Sequence, residues 1–174
     1  MLLTMALVAL LAGPSWAQVT KAERAGIRNY SRVDATVGCG GATDPSAMAG
    51  LRKEGYVSVV NLRLADEPGA DVEAGRTAAK AAGLKYFHLP FNGASPDPKV
   101  VSDFLSTVAD KGNQPVFIHC GSANRVGAVW MIKRVLQDGW AIDRAQTEAQ
   151  AIGLTSPQLT AFATTYIKER SQKQ

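Results

Sequence analysis

The chain of 174 residues is 46% hydrophobic, 20% charged and 7% aromatic, the balance of one ordinary globular domain. That composition excludes a polytopic membrane protein and a disordered chain, and sixteen glycines and eight prolines without a period exclude collagen-like sequence. Nineteen basic against fifteen acidic residues leave a net charge of +4, spread too thinly to argue for nucleic acid, and two cysteines are too few for a disulfide scaffold or a zinc site.

Met1 to Leu11 is an uncharged apolar run, followed by Gly13, Pro14 and the small-x-small tripeptide Ser15-Trp16-Ala17. This order predicts a secretory signal peptide, residues 1–17, cut after Ala17, and hence an exported, periplasmic or secreted protein. The apolar stretch is about 12 residues, against the roughly 20 needed to span a bilayer, so no stable membrane insertion is expected after cleavage. No Lys or Arg precedes the run, which leaves the translation start open. Residues 18–174 then form a single domain, large enough to bury about 68–70% of its unfolded surface.

From Arg32 onward, helical and strand signals alternate. Asp44-Pro45 is an N-cap with proline at the first helical position, and Gly55 is the stop of a short helix. Tyr56 to Leu62 is a β-branched apolar run that predicts a buried strand. A polar loop with Asp66, Glu67, Pro68 and Gly69 leads to a helix over Val72 to Ala82, stopped at Gly83, and Lys85 to Leu89 is a strand ended by Pro90. Asp97-Pro98 repeats the cap signature and opens a helix with Val100, Val101, Phe104, Leu105 and Val108 on one face. Pro115 to His119 is a fully apolar strand of the buried type, and a helix over Val126 to Gln137 follows it, apolar all round at its start. Two amphipathic helices close the chain, about Asp143 to Ile152 and, capped by Ser156-Pro157, about Gln158 to Arg170. Such alternation predicts an α/β/α sandwich around a parallel sheet, with ligands bound at the carboxyl ends of the strands.

The informative segment is Val116-Phe-Ile-His-Cys-Gly-Ser-Ala-Asn-Arg-Val-Gly127. A buried strand ends at Cys120, small residues follow, and Arg125 stands at the start of a buried helix. Gly121, Ser122 and Ala123 allow several backbone N–H groups to point inward as an anion nest; the Ser122 hydroxyl and the Asn124 amide are candidates to line it and bind substrate, and Asn124 reads equally as a holder of the loop shape. Arg125 adds a planar fork for two oxygens of a phosphate or sulfate. Such surroundings bring cysteine pKa values down to about 3.5–7.5, so one loop supplies both a nucleophile and an oxyanion cradle.

His119-Cys120, the short glycine-containing loop and Arg125 resemble the signature of cysteine-dependent protein tyrosine and dual-specificity phosphatases. Gly55 to Arg63 with Glu67 resembles their second strand, and Gly83 to Pro90 the strand that leads to their general-acid loop. The bacterial beta-lactamase-hydrolase-like branch is the most similar, over roughly Tyr30 to Trp140. The resemblance implies a phosphotyrosine-phosphatase-like fold with a four-stranded parallel sheet. It also implies hydrolysis of phosphorylated protein or small phosphoesters through a phosphocysteine; two histidines and two cysteines without ligand spacing give no sign of a metal or organic cofactor. His119 is expected to brace the loop by hydrogen bonding, and His88, Trp130 and Trp140 to serve packing.

Three departures qualify this picture. Four residues, Gly121 to Asn124, separate cysteine from arginine where five are commonest, a spacing that the bacterial branch shares with rhodanese-like sulfurtransferases. Val126 stands where a hydroxyl residue usually helps the thiolate leave. The general acid is Asp97 by position, with Asp66 and Glu67 as weaker candidates, and Asp97 also reads as a plain N-cap. Persulfide handling at Cys120, or a binding module without turnover, are therefore the alternatives. Cys39, in Val37-Gly38-Cys39-Gly40-Gly41 between the presumed first strand and first helix, is a candidate redox partner that could close a reversible disulfide with Cys120, and the sequence leaves open whether the two pair.

Overall fold

The computed structural model describes residues 18–172; the predicted signal peptide lies outside the described residues. Six strands form one sheet: β1 Thr20–Lys21, β2 Ser31–Arg32, β3 Val37–Gly40, β4 Ser58–Asn61, β5 Lys85–His88 and β6 Val116–His119. Their order is β1-β2-β3-β6-β4-β5, with β3, β6, β4 and β5 parallel and the first two antiparallel. The expected four-stranded parallel sheet is thus the core of a larger one. The two additional strands are two residues each, too short to carry a hydrophobic period, and they cover the edge that β3 would otherwise leave unpaired.

The helices are α1 Met48–Lys53, α2 Val72–Ala81, α3 Pro98–Ala109, α4 Asn124–Leu136, α5 Ile142–Ile152 and α6 Pro157–Ser171, with 3-10 turns at Pro45–Ala47 and Lys111–Asn113. The predicted starts hold. Asp44, Asp97 and Ser156 each accept a backbone N–H from the first turn of the element they cap, and each precedes a proline. Gly55 and Gly83 end helices with φ of +93° and +73°, a backbone that favours glycine.

Alternation along the strands divides the core. Val60, Ile118 and Cys120 face one side, where α3, α4, α5 and α6 pack. Val59 and Phe117 face the other, against Met48 and Leu51 of α1 and Ala79 of α2. Helix α4 is buried from Val126 through Ile132 because the sheet lies beneath it and α5 and α6 lie over it. One buried ionic cluster ties these layers. Arg134 of α4 donates to Glu148 of α5 at 2.7 and 3.1 Å and reaches Asp34 in the β2–β3 turn at 3.1 Å, and the Trp130 indole donates to Glu148 at 2.8 Å. No described helix is long and apolar enough to cross a membrane.

The tightest approach on this side is at Gly127, two residues past the arginine of the loop. A Cβ there would stand 2.8 Å from both the Ala149 carbonyl oxygen and the Leu154 Cβ. Since the obstruction includes backbone, Gly127→Ala is expected to lower stability by about 1–3 kcal/mol, read as an earlier midpoint in urea unfolding.

Candidate active site

Strand β6 delivers Cys120 to the carboxyl edge of the sheet, fully buried at the base of the turn before α4. Three backbone bonds fix that turn on its neighbours. The N–H of Cys120 donates to Gly40 at 3.3 Å, that of Leu62 to His119 at 2.9 Å, and that of Ala42 to Gly121 at 2.9 Å. Ala123 then takes φ +72°, a left-handed residue that turns the chain into α4. The first helical bond runs from Gly127 to Ala123, and the successive N–H groups from Gly121 to Val126 have no acceptor among the described residues. They form the predicted nest, with the positive end of α4 behind it.

The guanidinium of Arg125 is aimed by an unusually complete set of acceptors. Its Nη1 donates to Glu67 Oε1, to the Leu62 carbonyl at 3.2 Å and to the Phe91 carbonyl at 3.1 Å, and its Nη2 to Glu67 Oε2 at 2.8 Å. Nη1 is saturated, which leaves the Nε edge and one Nη2 proton for a ligand. That Nη2 lies 3.4 Å from where a Gly121 Cβ would stand, so the open edge borders the nest. Burial works against the charge on Arg125, but Glu67 and the neighbouring Cys120 thiol outweigh it and raise its pKa. Burial would likewise raise Glu67, yet the Arg125 pair, the Leu64 N–H and Arg63 hold its pKa down at about 2. Glu67 is therefore a clamp that stays ionised. Its expected role as a weaker candidate acid is corrected by this pairing.

Residues 14–137 match the family described as beta-lactamase hydrolase-like protein, phosphatase-like domain. The chain belongs to this family. Among solved structures it is similar to a DUF442 protein from Shewanella putrefaciens CN-32 (TM-score 0.70, 19% identity, 83% of this chain and 92% of that one). It also resembles P. aeruginosa TpbA in complex with pTyr (0.66, 21%, 90% and 91%). A third is the core catalytic domain of the PP-IP phosphatase SIW14 from S. cerevisiae in complex with citrate (0.66, 19%, 83% and 91%). At these identities the likeness is one of fold. No curated protein matches the sequence. Membership in a phosphatase-like family favours neither the sulfurtransferase nor the binding-module alternative.

Within this phosphatase-like domain the other predicted residues divide clearly. Gly121, Ser122 and Ala123 line the nest through their backbone. Asn124 does not offer its amide to a ligand: its Oδ1 accepts the N–H groups of Thr155 and Ser156 at 3.0 Å and its Nδ2 donates to Thr155 Oγ1 at 2.8 Å. It holds the α5–α6 turn against the loop. His119 is buried, and neither ring nitrogen has a hydrogen-bond partner, so the expected bracing is done by backbone bonds instead. Burial, reinforced by Arg63, pushes the imidazole down to about 3, and it stacks on Phe117 as a neutral ring. His88 donates its Nε2–H to the Arg63 carbonyl, 2.8 Å away. Asp97 caps α3 through the Lys99 N–H at 2.8 Å, and no contact joins it to Cys120 or Arg125 among the described residues. Its loop nevertheless reaches the site, since Phe91 holds Arg125 and a Gly93 Cβ would stand 3.8 Å from the Arg125 stem. Asp66 is exposed in the turn that carries Glu67.

Cys39 is displaced from expectation. It lies inside β3, opposite Ile118, and not in the connection after a first strand. Cys120 is two residues beyond that partner on the same side of the sheet. With strands about 4.8 Å apart and a rise of about 3.3 Å per residue, the two Cα atoms stand about 8 Å apart, beyond the roughly 7 Å a disulfide bridges. Both thiols are free, and burial pushes that of Cys39 well up. This backbone does not accommodate that pairing.

Two supports escaped the sequence. Asn29, at φ +52°, donates its amide to the Ser122 carbonyl at 3.2 Å across 93 residues of chain. Gly41 is wedged between the Arg28 and Gly121 carbonyls, each 3.1 Å from where its Cβ would stand. No local signal announces the first; the Gly40-Gly41 pair at a strand end was the trace of the second. Among the described residues no group of three His, Cys, Asp or Glu side chains could hold a metal ion.

The clamp gives a pH signature. A carboxylate at about 2 in the folded chain and near 4.5 unfolded adds stability that is complete above pH 4.5 and lost as pH falls toward 2. Glu67→Gln is expected to flatten the urea midpoint over that window relative to the parent chain.

Proposed function

We propose that this chain is a cysteine-dependent phosphatase that hydrolyses phosphate monoesters through a phosphocysteine. The carrying observation is the row of uncommitted N–H groups from Gly121 to Val126 closing, with the open edge of Arg125, around the base that holds Cys120. The Cys120 thiolate attacks phosphorus in line. The nest and Arg125 hold the three equatorial oxygens, whose charge they meet without reorganisation because Glu67 has already aimed the guanidinium. Asp97, at the end of the loop that touches Arg125, protonates the leaving oxygen and then deprotonates the water that releases phosphate. Gly121, Ser122 and Ala123 bind through backbone, Asn124 supports the loop through Thr155 and Ser156, and the His119 ring fills space beside Phe117.

A phosphotyrosyl protein is the substrate class this reading favours, supported by the pTyr complex of the similar TpbA. The apolar run and Ser15-Trp16-Ala17 support action outside the cytoplasm, in the periplasm or beyond it. Val126, fully buried at the first turn of α4, offers no hydroxyl to the departing thiolate. Breakdown of the phosphocysteine is therefore the slow step.

Turnover of p-nitrophenyl phosphate by the reduced protein tests the reading. Cys120→Ser is expected to lower it by at least about 10³-fold, and unchanged turnover in that variant would sink the assignment. A rapid-mixing burst of nitrophenol near one equivalent is expected first. Asp97→Asn should cost about 10²-fold with an alkyl phosphate and clearly less with the activated aryl ester, whose leaving group needs no proton. Equal losses on both would remove Asp97 from the acid role, and Asp66→Asn beside it identifies the replacement.

A further inference from the structure

The loops after β3 and β4 flank the active loop, which follows β6, and between them lies a cleft of about 580 Å³. Arg24, Arg28, Ala42, Asp44, Gly69 and Asp71 contribute to its walls. Two of those walls belong to the site's own frame. The Ala42 N–H holds the Gly121 carbonyl, and the Gly69 carbonyl accepts Arg63, which also pairs with Glu67.

The charges in this cleft are unequally committed. Arg24 pairs with Glu54 at 2.9 Å and lies over the Tyr30 ring. Asp44 and Asp71 spend their carboxylates as caps, on the N–H groups of Ser46 and Ala74. The exposed Arg28 side chain makes no hydrogen bond or ion pair among the described residues, although its backbone is firmly placed. Its N–H donates to Ala42 at 2.9 Å and its carbonyl accepts from Gly41 at 2.6 Å, while its neighbour Asn29 holds Ser122. Arg28 is thus two strand spacings, about 10 Å, from Gly121, carried on a segment stapled to the active loop itself.

We infer that Arg28 is a specificity-determining residue that takes a second anionic group of the substrate while the first phosphate occupies the Cys120 loop. The inference rests on the phosphatase reading for its first phosphate. A guanidinium with its fork uncommitted suits a phosphate or a carboxylate, and its fixed backbone sets the spacing at which that group is recognised.

The test compares a peptide carrying phosphotyrosine alone with the same peptide bearing phosphoserine, or aspartate, on the adjacent residue. Binding is measured to the Cys120→Ser protein, with and without Arg28→Ala, so that the second contact is read whether or not the parent chain turns substrate over. The doubly phosphorylated peptide is expected to bind about tenfold tighter than the single one, and Arg28→Ala to erase that advantage while leaving the single peptide within about twofold. An advantage shared by aspartate assigns the subsite to anions generally; one confined to phosphoserine assigns it to phosphate. Equal affinities, or an advantage that survives Arg28→Ala, overturn the inference. In the Cys120 protein, p-nitrophenyl phosphate turnover should be unchanged by Arg28→Ala; absence of turnover there, with the binding advantage intact, would fault the phosphatase reading and not this subsite.

Discussion

The site depends on one carboxylate–guanidinium pair. Arg125 arises after β6 and Glu67 after β4, neighbouring strands of the sheet, and their two-point contact joins the loops that follow them. An arginine at the first turn of a helix has many rotamers, and an anion-binding site needs one of them. Glu67, the Leu62 carbonyl and the Phe91 carbonyl select it by saturating one edge of the fork, so that the other faces the nest. A charge-assisted, bidentate contact of this kind is both strong and directional. Glu67 is in turn held by the Leu64 N–H and by Arg63, whose own guanidinium is anchored on the Pro68 and Gly69 carbonyls. The turn from Leu64 to Gly69 is therefore folded around the carboxylate it presents.

The rest of the fold supplies close backbone approaches. Helix α4 can begin directly behind Cys120 only because Gly127 admits Ala149 and Leu154, and because Gly153, at φ +148°, leaves room for Ala123. On the opposite side Gly41 lets the N-terminal segment and the active loop share a wall. These contacts make the nest rigid without any side chain inside it. They explain why His119 can remain a neutral ring with unpartnered nitrogens: the backbone ladder already fixes the loop, and the imidazole fills space beside Phe117.

The architecture was legible in the sequence wherever physics is local. Asp44-Pro45, Asp97-Pro98 and Ser156-Pro157 opened helices as caps should, and the apolar runs at Val59 and Val116 became central strands. The cysteine loop stood out because its small residues and arginine make sense only as a turn around an anion. What escaped were relations between distant segments. The β1 and β2 pairings involve two residues each, and the contacts of Asn29 with Ser122 and Asn124 with Thr155 leave no local pattern. Glu67 was visible as an acid but not as a clamp, since only the fold brings Arg125 to it. Cys39 was misplaced for the opposite reason: the glycines around it suggested a loop, whereas Gly38 and Gly40 are there to admit Tyr56 and Phe117 against a strand.

A cradle made of backbone N–H groups treats every phosphate dianion alike, so discrimination has to come from its rims. The two rims differ in chemistry. On the β5 side, the Asn92–Asp97 loop rests on Arg125 through Gly93 and ends at the Asp97 carboxylate that caps α3. On the β3 side, the Arg28–Asn29 segment brings a cation and rests on Ser122 and Gly41. Phe91, just before the first rim, bonds Arg125, and Asn29 of the second bonds Ser122, so a substrate that engages either rim also bears on the position of the nest. Four residues between Cys120 and Arg125 leave fewer N–H groups for the phosphate itself than the commoner five would. A loop that short gains most from contacts made just outside it, where a second group of the substrate can add binding without competing for the equatorial oxygens.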